Sequence, residues 1–224
     1  SLVGEPFLTF QWDALLLESL FISLPFLPFV SRHRLKKSEL PSKWARILVL
    51  LLLSKLMIES GVVKFTFFDT DQSNAWINYT ALDFHYWTQP LPHPLSPIVH
   101  SLPPWFDSIS LSAMYFIEIG LPFCFFLPLY FRRFAFFGQV LLQLAILFSG
   151  NYGFFNLLTL TLCIPLIDDA LIPKRFRPNF DQPKSDKVFI RKSIHFIYLG
   201  SLYFLFLSAG WNSLLSDIKG NRAN

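Results

Sequence analysis

Residues 109–149 read ISLSAMYFIEIGLPFCFFLPLYFRRFAFFGQVLLQLAILFS, and this stretch decides the fold. Two apolar runs, 109–131 and 134–149, are separated only by Arg132 and Arg133. A bilayer core of about 30 Å is crossed by roughly 20 mostly apolar residues in a helix, so the stretch predicts two membrane spans joined by a basic turn. The same criterion applied outward predicts further spans at 14–30, 44–66, 151–172 and 193–210. The expectation is an all-α, polytopic helical membrane bundle: one transmembrane domain over residues 1–224, about six spans, and a long outer loop over 67–108.

Composition agrees. Of 224 residues, 53% are hydrophobic and 15% charged, with 27 Phe, and mean hydropathy is +0.44, which excludes a disordered chain and an ordinary soluble domain. The pI near 9.1 does not point to nucleic acid, because the basic residues fall between apolar blocks. Cys124 and Cys163 lie inside apolar blocks, with no CxxC or zinc spacing, so no disulfide framework is expected.

The basic residues also set an orientation. Six Lys or Arg lie in 32–46, two at 132–133 and seven in 174–192, together fifteen of nineteen. The alternate connections, 65–108 and 150–153, contain none. By the positive-inside rule, loops 31–46, 132–133 and 174–192 face the cytoplasm and both chain ends lie outside.

Ionisable groups inside a span cost about 2.5–3.5 kcal/mol on insertion scales, so each asks for a reason. Lys55 and Glu59 stand four residues apart on the second span and share a helix face, which predicts a structural ion pair; a proton relay is the alternative. Lys64 is expected to snorkel to the outer surface. Glu118, Gln139, Gln143, Asn151 and Asn156 complete a predicted polar core, the amides serving as interhelical hydrogen-bonding groups.

The outer loop is longer than a bundle needs and too aromatic for disorder. Tyr79, Phe84, Tyr86, Trp87, Trp105 and Phe106 suit a membrane interface or a bound partner, and its prolines are expected to keep regular helix from running through it. Asp83, His85, Tyr86, Trp87, Gln89 and Trp105 are the candidate contact residues. Asn78-Tyr79-Thr80 is a glycosylation sequon on the predicted outer face. His85, His93 and His100 follow no ligand spacing, so no metal site is expected. Nucleotide, zincin and hydrolase motifs are absent, and no cofactor is expected.

The runs 11–19 (QWDALLLES), 82–86 (LDFHY) with 88–92 (TQPLP), 102–106 (LPPWF) and 150–159 (GNYGFFNLLT) resemble the lipase maturation factor family in order and spacing. The chain departs from its animal members in 67–77 and at Trp87, where an acidic residue is usual. The resemblance implies a chaperone-like protein of the endoplasmic reticulum membrane, or of the inner membrane in bacteria, that helps secreted lipases reach their folded state. It also implies a further span before this region and a further domain after it. The lipid bilayer and a secretory client are then the partners, with no chemistry of the protein's own. The alternative is a membrane-embedded enzyme, distantly similar to vitamin K-dependent carboxylases, acting on a lipid-soluble or protein substrate. Lys55, Glu59, Asp83, His85 and Glu118 would then supply its acids and bases.

Overall fold

The computed structural model describes residues 11–23, 43–66, 73–89, 92–150, 152–168, 171–176 and 201. The chain divides into two compact units, one of Ser1–Leu52 with Asp168–Ala223 and one centred on Leu53–Ile167. All regular structure among the described residues is helical, with no strand.

In the first unit, α1 spans Gln11–Ser23. Leu15 and Ile22, seven residues apart, are buried, whereas Leu16, Leu17, Leu20 and Phe21 are exposed. An apolar residue left outward on so many sides is costly in water and natural in lipid. The predicted span 14–30 continues past the described helix, and the span predicted at 193–210 lies outside the described residues except for Ser201.

The second unit is built on a hairpin. A continuous helical path runs Pro104–Phe126, the chain turns at Leu127-Pro128, and α6 follows at Leu129–Ser149. Both stretches are long and apolar enough to cross a membrane. The first starts and stops five residues before the expected 109–131, while the second starts five residues before the expected 134–149 and ends at the same residue. Pro103-Pro104 opens the first helix, where a missing N–H costs nothing, and Pro128 opens the second. Arg132 and Arg133 therefore sit one turn inside α6, and the turn itself is Leu127-Pro128.

The first limb is not regular. α5 (Pro104–Tyr115) passes into a π-helical turn at Phe116–Gly120 and a 3-10 stretch at Leu121–Phe126. Pro122 explains the change: it has no N–H for the carbonyl four residues back, so the ladder must shift. Leu121 N–H bonds the Phe116 carbonyl, five residues back, and the Ile117 carbonyl is released.

α2 (Lys43–Thr66) enters this unit with its second half. After Gly150, Gly153 takes a left-handed φ of 59° and starts α7 (Phe154–Leu162), followed by a 3-10 turn at Ile164–Leu166. This is shorter than the span expected at 151–172.

The connection 67–108 holds more helix than its prolines suggested: α3 (Ala81–Thr88), α4 (Ser96–His100) and the first turn of α5. Pro97 and Pro104 occupy the first turns of α4 and α5, so the prolines start helices there.

Candidate functional site

Two polar clusters organise the second unit. The inner one begins with Gly61 of α2. A Cβ there would stand 2.5 Å from Ile119 Cγ1, so only glycine lets α2 approach the π-helical turn this closely. One turn on, Lys64 Nζ meets Glu118 Oε2 at 2.6 Å and donates to the Ser60 carbonyl at 2.8 Å. Lys64 is thus turned into the protein, with its ammonium also 5.3 Å from the centre of the Trp76 ring. The pair is nearly dry, at 13% and 6% side-chain exposure, so each charge depends on the other.

Gln139 closes the other side. Its Nε2 donates to the released Ile117 carbonyl at 3.0 Å, and Gly138 beside it permits contact with Leu121. A turn along α6, Gln143 Oε1 accepts from Asn156 Nδ2 of α7 at 3.0 Å. Lys55 and Glu59 are half-buried further back on α2, and Asn151 lies outside the described residues.

A short turn links this centre to the outer segment. Asn74 is buried; its Nδ2 donates to the Lys64 carbonyl at 2.9 Å, and its Oδ1 accepts the amides of Trp76 and Ile77. The Trp76 carbonyl accepts from the Tyr115 hydroxyl at 3.1 Å, and Tyr79 accepts from Ser112 at 3.3 Å. Asn78 of the sequon is exposed in this turn.

The outer cluster lies where α3 meets α5, α4 and the end of α6. Tyr86 is 4% exposed and donates to Asp107 Oδ1 at 3.2 Å. Burial, and then the Asp107 carboxylate, push the Tyr86 phenol far above its usual range. His85 stacks on Tyr152 with ring centres 5.9 Å apart, and Gln89 Nε2 reaches both the Tyr152 hydroxyl and His85 Nδ1. Burial, and then the charge of Lys64, lower the His85 pKa. Burial raises that of Tyr152, partly offset by the Gln89 hydrogen bond. His100 sets its ring edge-on to Tyr86 and Trp87.

The candidate contact residues therefore separate. Tyr86 faces inward, His85 and Gln89 are half-buried in the polar cluster, and Asp83, Trp87 and Trp105 face outward. Phe84, Trp87, Ile98 and Trp105 are each about 60% exposed. Of the acid-base candidates, Glu118 is engaged by Lys64, while Asp83 is exposed on α3. Sequence reading missed Lys64 as the partner of Glu118, Asp107 as that of Tyr86, and Asn74 as the link between α2 and the outer segment. A lone acid in a span demands a cation, and Gly61 one turn before Lys64 was the available sign of close approach. Among the described residues, no three His, Cys, Asp or Glu side chains are arranged to hold a metal.

Residues 1–174 match the family described as the lipase maturation factor transmembrane domain. Over 194 residues the chain is 45% identical to lipase maturation factor 2 of Xenopus tropicalis, covering 83% of this chain and 26% of that protein. Identity to lipase maturation factor 2 of Homo sapiens is 44% over 180 residues, covering 75% and 24%. For lipase maturation factor 1 of Mus musculus it is 31% over 170 residues, covering 76% and 29%. The chain thus spans about a quarter of the length of these relatives. No solved structure matches it.

Proposed function

The chain belongs to the lipase maturation factor family, and from that premise we propose that it is the membrane-embedded part of a factor assisting the maturation of secreted lipases. The outward aromatic residues of α3 and early α5 contact the client. The observation that carries this reading is the exposure of Phe84 (61%), Trp87 (60%) and Trp105 (62%) on short helices fixed from behind by the Tyr86–Asp107 bond. Large aromatic side chains on a preordered support give contact area at little entropic cost on binding.

Six spans, with loops 31–46, 132–133 and 174–192 on the cytoplasmic side, place this surface on the opposite face, where a secreted client is found. The reported relatives come from animals, which favours the endoplasmic reticulum membrane over a bacterial one. These relatives lend nothing to the carboxylase-like reading, and Glu118 already holds a cation.

The test is photo-crosslinking in native membranes from a diazirine amino acid at Trp87, with a secreted lipase co-expressed. Tyr86 is unsuitable because it is buried. Covalent adducts with the lipase are expected. Adducts confined to lipid, with the protein folded, would overturn client contact at this surface.

A further inference from the structure

We infer that Asn78 is a site of N-linked glycosylation, so that the turn between α2 and α3 carries an oligosaccharide. Such a site needs the orientation proposed above, with connection 65–108 outside the cytoplasm, in a eukaryotic secretory membrane.

The chain has eight asparagines, and only Asn78 is followed two positions later by Ser or Thr with a residue other than Pro between. So short a motif recurs by chance, and the structure adds what it lacks: an accessible, unused amide. Asn74 and Asn156 are buried and hydrogen-bonded into the protein. Asn78 is exposed, as are Ile77, Tyr79 and Thr80 around it. Tyr79, at a left-handed φ of 61°, sends its ring back to Tyr115 and its hydroxyl to Ser112, and Asn78 is left outside.

The surroundings of Asn78 suit water and not hydrocarbon. Among the described residues, nothing donates to the carbonyls of Ile77, Asn78 and Tyr79, and the Asn78 side chain has no partner. Three carbonyls and an amide left unmet are costly in lipid and cost little where water reaches them. The length of α2 agrees. Its 24 residues make about 36 Å against a hydrocarbon core of about 30 Å, so a helix that starts at the basic residues Lys43 and Arg46 brings the chain to the outer boundary near Thr66. Asn78 follows twelve positions later, and before the turn folds that length of extended chain reaches about 40 Å beyond the boundary.

In the modification, the side-chain nitrogen of Asn78 attacks the anomeric carbon of an oligosaccharide carried on a polyprenyl diphosphate. A nitrogen–carbon bond forms, the anomeric carbon–oxygen bond breaks, the lipid diphosphate leaves with the electron pair, and the amide gives up one proton. The catalyst is a membrane glycosyl-transferring enzyme of the secretory pathway. The folded turn accommodates the product, because Asn74 closes it by accepting the amides of Trp76 and Ile77, and Asn78 contributes only its backbone. An oligosaccharide bears many hydroxyls and does not enter hydrocarbon, so it holds this turn, and α3 with its Phe84 and Trp87, on the outer side.

The test is to make the full chain in a eukaryotic cell and compare its electrophoretic mobility before and after digestion with peptide-N-glycosidase. The unaltered chain is expected to move faster after digestion, by the shift of one glycan. Asn78→Gln should run at the digested position from the start, and Thr80→Ala, which keeps the asparagine, should do the same. A third chain combines Asn78→Gln with Pro94→Asn, which creates a new sequon with Leu95 and Ser96 at an exposed position of the same connection. No shift in the unaltered chain, with a shift in this third chain, would overturn the assignment of Asn78 and leave the orientation standing. No shift in either would overturn the orientation as well.

Discussion

Tyr86 and Trp87 are neighbours in sequence with opposite environments. On α3 the Tyr86 side chain enters the unit and binds Asp107, whereas Trp87 remains 60% exposed. Tyr86→Phe keeps the ring and removes the donor, leaving Asp107 with an unmet buried oxygen. The expected loss is about 1–3 kcal/mol, seen as a lower Tm of the detergent-solubilised protein. Trp87→Ala removes a side chain that packs little, so stability should change by less than about 0.5 kcal/mol while lipase capture falls. Equal effects of the two changes on Tm would contradict this division. His85 supplies a pH dependence. Its folded pKa lies below 6.5 because of burial and then Lys64, so the folded state binds fewer protons than the unfolded one. The stability it confers is complete above 6.5 and is lost as pH falls from there toward the folded pKa. Lowering the pH from 7.5 to 5.5 should therefore reduce Tm less in His85→Gln than in the unaltered chain.

At the scale of elements, the irregular limb of the hairpin gathers the polar interior. Pro122 shifts the ladder, the shift frees the Ile117 carbonyl, and Gln139 satisfies it. Gln139→Leu fills similar space but leaves that carbonyl unmet, costing about 1–3 kcal/mol. The ion pair should respond differently to one change and to two. Lys64→Met alone strands the Glu118 carboxylate and should cost about 3–5 kcal/mol. Adding Glu118→Leu removes the stranded charge, so the double variant should be more stable than Lys64→Met. A double variant less stable than that would show that the two residues act separately. These contacts also mark what could be read in advance. The hairpin was legible because hydropathy over 20 residues depends on composition alone, and Gln139 and Gln143 were legible as interior amides because they share a helix face. The Lys64–Glu118 partnership was not, since helical spacing relates residues four apart and these are 54 apart in sequence. Spacing relates Lys55 to Glu59 but carries no signal for Lys64, which was expected at the surface and is instead turned inward onto Glu118. α3 and α4 were missed for a related reason: a proline reads as a breaker until the helix start it occupies is known.

For the whole molecule, the decisive quantity is which connections stay on the cytoplasmic side. Fifteen basic residues in three connections, against none in the two between them, give a bias far larger than orientation requires. A reporter active only outside the cytoplasm should be silent when fused after residue 40 or residue 185 and active after residue 95. Replacing Arg132 and Arg133 by Gln removes two of the fifteen and leaves thirteen in the flanking connections, so the pattern should persist. Signal after residue 185 would mean an odd number of crossings between it and residue 40. The aromatic surface at Trp87 and Trp105 would keep its side, but the six-span arrangement would fail. Loss of signal after residue 95 would be graver. It would put that surface in the cytoplasm, away from any secreted lipase, and family membership would then have to be reconciled with client contact made elsewhere in a relative about three times as long.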